Sequence, residues 1–142
     1  MRIADVLRHK GSMVVTVPPW TTVGELVTEL ARHNVGAIVV LTPNGVEGIV
    51  SERDVVRGLA ARGAELLTSP VAEIMTTSVV TCSPTDTVES LSVLMTERRI
   101  RHVPVMSEGR LSGIVSIGDV VKQRISQLQD DQDQLERYIA QG

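Results

Sequence analysis

The sequence predicts an α/β protein built from two copies of one small unit, each running helix, strand, helix, strand, strand, helix. Three observations predict it. Gly48-Ile49-Val50-Ser51-Glu52-Arg53-Asp54 returns as Gly113-Ile114-Val115-Ser116-Ile117-Gly118-Asp119, 65 residues later. At that offset Val14 to Arg57 aligns with Val79 to Lys122 without a gap, and 15 positions are identical. Hydrophobic spacing also switches between strand and helix period in the same order in both copies.

The elements follow in turn. A short helix opens each repeat, over Ile3 to Arg8 and over Val71 to Met75. The second is announced by Ser69-Pro70, an N-cap followed by proline at the first helical position. Short strands come next, Val14 to Val17 and Val79 to Cys82, β-branched runs ended by Pro19 and Pro84. Val23, Leu26, Val27 and Leu30 then recur at helical spacing, as do Val88, Leu91, Leu94 and Met95. Two hairpins follow: Ala37 to Leu41 with Gly45 to Val50 around Pro43-Asn44-Gly45, and Val103 to Met106 with Leu111 to Val115 around Ser107-Glu108-Gly109. A helix closes each repeat, Asp54 to Ala61 and Asp119 onward. Only the first connection differs. It is three residues longer in repeat one, as Leu7 to Val14 against Met75 to Val79 shows.

The repeats are placed at residues 1–63 and 66–125, with a helical extension over 126–142. Near 60 residues each, the halves are expected to share one core. In the extension Val121, Ile125, Leu128, Leu135 and Ile139 alternate by 4 and 3, with Gln132 as the polar exception. That pattern fits a short dimer seam, or a helix packed on its own domain and frayed at Asp130-Asp131.

Composition narrows the function. A net charge of −3 disfavours nucleic acid, and 1% aromatic residues leave almost no rings for base stacking. A single cysteine, Cys82, excludes an internal disulfide and reads as a small buried hydrophobe. The longest apolar runs are too short to cross a bilayer, and the amino terminus has no secretory pattern, so a cytoplasmic protein is expected. His9, His33 and His102 have no ligand spacing for a metal. Trp20 reads either as cover for a dimer surface or as a local plug. No nucleophile has a base at a plausible position, so no catalytic constellation is expected.

The motif Ser-x-x-Asp at a strand-to-helix junction supports two readings. Ser caps the helix and Asp returns the bond, a capping box. Alternatively, the helix amino terminus and the Ser hydroxyl hold a phosphate while the carboxylate accepts ribose hydroxyls. The glycine three residues earlier is expected to admit a ligand close to the backbone.

Gly48 to Asp54, Gly113 to Asp119, Thr81-Cys82-Ser83-Pro84 and Arg101-His102-Val103-Pro104-Val105 together resemble a tandem pair of CBS (cystathionine β-synthase) domains, a Bateman module. The resemblance covers Ile3 to about Arg124. It implies a stand-alone, non-catalytic regulatory protein, a nucleotide sensor acting on an unknown protein effector and expected to form a homodimer. It also implies adenine-nucleotide sites in two clefts between the repeats, and leaves open AMP, ADP, ATP, NAD or S-adenosylmethionine. One cleft would hold Ser116, Gly118 and Asp119, with Ile114 beside the base. Arg101 and His102 would face its phosphates, and Met13, Val14, Val35 and Gly36 would close it. The other would use Ile49, Ser51, Arg53 and Asp54 with Ala37, Ser78, Val79, Ile100 and Arg101. Arg98 and Arg99 are expected to be solvated helix-end charges. The two clefts are expected to differ, since His102 answers Ala37 and Arg53 answers Gly118. The alternative is an interaction scaffold whose degenerate motifs act only as caps.

Overall fold

A computed structural model describes residues 1–141. Each repeat contributes a sheet backed by helices. Helix α1 spans Ile3–Lys10, followed by strand β1 (Thr16–Val17), helix α2 (Val23–His33) and strands β2 (Ala37–Thr42) and β3 (Gly45–Ser51). Helix α3 (Glu52–Arg62) closes the first repeat. The second has helix α4 (Val88–Arg98), strands β4 (His102–Ser107) and β5 (Arg110–Ser116), and helix α5 (Ile117–Gln141). β1 pairs parallel to β2, and β2 pairs antiparallel to β3; β4 and β5 form the matching hairpin. The duplication extends to irregularities. Register shifts at Val40/Leu41 and at Val105/Met106, the same step in both hairpins.

Local chemistry sets the ends. The Thr22 hydroxyl accepts from the Glu25 N–H at 3.1 Å and caps α2; Thr87 does the same for α4 through Ser90, also at 3.1 Å. Both helices stop on a left-handed residue, Asn34 at φ 52° and Arg99 at φ 55°.

Three expectations need correction. The stretch Val79 to Cys82 is not a strand; only Cys82 bridges, in parallel, to Val105. Pro104 stands where repeat one has Val39, the partner of Thr16, and a proline has no N–H to offer the ladder. The segment Val71 to Met75 is a single 3-10 turn over Val71–Glu73, preceded by another over Gly63–Thr68. And the halves do not share one core. One cluster joins Ile3 and Val6 of α1 to Val88, Leu91, Met95, Val103, Val105, Val115 and Val120 of the second repeat. The other joins Leu66 and Val71 to Val23, Leu26, Ile38, Val40 and Val50 of the first. Each repeat's opening segment is therefore packed into the opposite repeat's core.

The extension continues α5 without a break through Asp130-Asp131. From Arg124 to its end the helix is exposed, so it is not packed on its own domain. Trp20 is 72% exposed and plugs nothing. No helix among the described residues is long and apolar enough to cross a membrane.

Candidate functional site

Both motifs sit at the step from strand to helix, and both are complete capping boxes. At the first, Asp54 Oδ2 accepts from the Ser51 N–H at 2.8 Å and from Ser51 Oγ at 3.1 Å, while the Asp54 N–H donates to Ser51 Oγ at 3.3 Å. At the second, Asp119 Oδ2 accepts from the Ser116 N–H at 2.8 Å and Oγ at 3.0 Å, and the Asp119 N–H donates back at 3.2 Å. Glu52 N–H donates to the Gly36 carbonyl and Ile117 N–H to the Arg101 carbonyl, so each helix start is also tied to the entry of the neighbouring strand.

The glycines of the motif have a different cause from the one expected. A Cβ on Gly48 would stand 2.8 Å from Met75 Sδ and 2.9 Å from the Thr76 carbonyl oxygen. A Cβ on Gly113 would stand 2.7 Å from Leu7 Cδ2. The backbone approach that needs glycine is that of the chain's own exchanged segments, not a ligand's.

A cleft of about 320 Å³ opens at the first motif. Ile49, Ser51, Arg53, Asp54, Ala37, Ser78, Val79, Ile100 and Arg101 all line it. Gly36 and His102, expected at the second motif, line this cleft instead. The His102 ring lies against Gly36, where a Cβ would come within 3.1 Å of Cε1 and Nε2. Burial pushes the His102 pKa below its ordinary value, although Glu52 pulls it upward; Lys10 and Arg101 add to the lowering, and Asp119 opposes it. Met13, Val14, Val35, Ile114, Ser116, Gly118 and Asp119 lie outside the cleft. Met13 is 88% exposed, and Val35 packs on the first core.

Five lining residues escaped the sequence reading: Glu52, Arg57, Thr76, Val80 and Arg99. Arg57 could have been found, being four residues after Arg53 and so on the same face of α3. Arg99 is an exposed helix-end residue, as expected, and it also lines the cleft. Four arginines (Arg53, Arg57, Arg99, Arg101) thus line one cavity together with Glu52 and Asp54.

Around the second motif the chain itself supplies a partner. Lys10, the last residue of α1, donates to Asp119 Oδ2 at 2.7 Å and to the Ile114 carbonyl at 2.8 Å. Burial pushes the Asp119 carboxyl up, but bonds from Lys10 and the Ser116 N–H outweigh it and hold the group below its usual value. The Lys10 contact had one trace in the sequence, the longer connection that follows α1.

Comparison with known proteins agrees with this architecture. The CBS domain model matches residues 3–61 and 71–126. A CBS-domain containing protein from Agrobacterium tumefaciens superposes with a TM-score of 0.85 at 46% identity, covering 87% of this chain and 99% of that one. The CBS domain protein PAE2072 from Pyrobaculum aerophilum, crystallised with AMP, gives 0.75 at 33% identity over 84% and 89%. The CBS domain-containing protein CBSX3, mitochondrial, of Arabidopsis thaliana is 35% identical across 99% of this chain and 72% of its own length. With two matched segments joined by exchanged opening elements, the chain belongs to the CBS-domain family as a tandem pair.

Proposed function

We propose that the chain binds an adenine nucleotide in the Ser51 cleft and acts as a non-catalytic sensor. The observation that carries this is the cleft's chemistry: four arginines and the α3 amino terminus for phosphates, with Asp54, in the first turn of that helix, for ribose hydroxyls. Ile49, Val79, Val80 and Ile100 offer aliphatic walls for a base in a chain almost without rings. The AMP complex of PAE2072, 33% identical, supports the ligand class. The thiol of Cys82 is no nucleophile, since burial pushes its pKa up to about 11.

Residues of both repeats line the cleft, so a ligand that prefers one relative orientation shifts the population toward it. An effector protein reads that shift. A homodimer fits the exposed stripe of Val121, Ile125, Leu128, Leu135 and Ile139 along α5.

A thermal melt with AMP, ADP, ATP, NAD, S-adenosylmethionine and GTP tests the reading. A ligand at 100 times its Kd stabilises by about 2.7 kcal/mol, which is several degrees at this size. Adenine compounds should raise Tm, GTP should not, and Asp54→Ala should weaken binding by about 2 kcal/mol, roughly thirtyfold. The scaffold alternative draws on the fact that both capping boxes are complete without a ligand. It predicts no ligand shift, and a loss of about 1 kcal/mol of stability from Asp54→Ala as its only effect.

A further inference from the structure

We propose that Lys10 is a built-in counter-ion that closes the Ser116 junction to a ribose, so that one chain holds one nucleotide rather than two. The inference rests on the nucleotide reading of the Ser51 cleft.

The two junctions have the same capping geometry but different third partners. In the first, the Ile49 carbonyl accepts from the Thr76 N–H at 2.9 Å and the Ile49 N–H donates to the Thr76 carbonyl at 3.0 Å, a backbone pair that leaves Asp54 bonded only to Ser51 among the described residues. In the second, the Lys10 ammonium takes the Ile114 carbonyl and reaches Asp119 as well. The carboxylate that would receive two hydroxyls already receives a charged donor at 2.7 Å. Displacing it costs a nucleotide the ion pair before any ribose bond forms.

The pair is also sheltered. Lys10 and Asp119 side chains are 31% and 22% exposed, and each of the other five ion pairs among the described residues has at least one partner more open. The arrangement is fixed by packing. Ile3 and Val6 seat α1 in the second core, and Gly113 lets Leu7 lie on β5. Lys10 then projects from the last turn of α1 over the start of α5. At the first junction Met75 lies on Gly48 as Leu7 lies on Gly113, and the next residue, Thr76, takes the Ile49 carbonyl with its backbone N–H and brings no charged side chain.

Isothermal titration of the full chain with AMP and with ATP tests this. Wild type should bind one equivalent. Lys10→Met should bind two, and Lys10→Met with Asp119→Ala should return to one. Two equivalents in wild type, or one in Lys10→Met, overturns the proposal. Lys10→Gln is the second variant should Lys10→Met fail to melt cooperatively. A ligand-free readout separates the two ideas. In carbon-13 carboxyl spectra the Asp119 titration midpoint should move up in Lys10→Met. An unmoved midpoint overturns the counter-ion role whatever nucleotides do. A moved midpoint with no nucleotide bound by any variant supports the Lys10–Asp119 pairing and removes the nucleotide reading instead.

Discussion

Repeat one and repeat two share a motif, a capping box and a strand register, yet they present different surfaces to a ligand. At Ser51 the opposing segment is a turn, and it meets β3 through backbone bonds of Thr76. At Ser116 the opposing segment is a full helix of 8 residues, and it meets β5 through the side chains of Leu7 and Lys10. The duplicated sequence dictates the strand, the cap and the carboxylate. The exchanged segment from the far repeat dictates what that carboxylate can receive. Two copies of a binding motif are therefore not two copies of a site.

The exchange can be broken most severely at Ile3. Its side chain is fully buried in a cluster made mostly of second-repeat residues, including Leu91 and Val115. Ile3→Ala should cost about 2–5 kcal/mol in urea unfolding, the range for emptying a well-packed core site. A loss below about 1 kcal/mol, the size of a surface effect, would mean that α1 does not complete the second core in solution.

A smaller and more discriminating pair tests the difference between the two opposing segments. Gly48→Ala drives a Cβ against the Thr76 backbone oxygen at 2.9 Å as well as Met75, and backbone cannot rotate away. Gly113→Ala meets only Leu7 side-chain carbons, at 2.7, 2.9 and 3.4 Å, and a leucine end can turn. Gly48→Ala should cost about 1–3 kcal/mol and Gly113→Ala measurably less. Equal losses in thermal melts would count against the turn-versus-helix distinction.

These contacts mark where the sequence stops being informative. The duplication, both hairpins and both Ser-x-x-Asp junctions were legible because each is a local pattern. The exchange of opening segments was not, since nothing in Ile3 or Val71 states which core will receive it. The motif glycines were visible, but they were assigned to a ligand because the true neighbours, Leu7, Met75 and Thr76, come from the other half of the sequence. Pro104 was legible and underused: a proline in a strand removes a donor, and the parallel pairing shrank to one bridge there. Arg99 was read correctly as an exposed helix-end charge, but its place on the cleft follows from a left-handed helix stop, which an arginine does not advertise.

The mildest test bears on the one cleft residue that both junctions influence. His102 lies in the Ser51 cleft, with Glu52 and Arg101 near it and with Lys10 and Asp119 of the other junction also acting on its charge. Burial lowers its folded pKa below the unfolded value of 6.5. The neutral ring is thus the form the fold prefers. Its contribution to stability is complete above the unfolded pKa. It is lost as pH falls from there through the lower folded value, because the unfolded chain takes up a proton first. His102→Ala places at this position the residue that repeat one has, Ala37, and should flatten the stability profile in that acidic window. A profile unchanged by His102→Ala would mean that the ring is solvated in solution. A profile flattened by Lys10→Met as well, with His102 intact, would show that the charge at Ser116 reaches the Ser51 cleft through this ring.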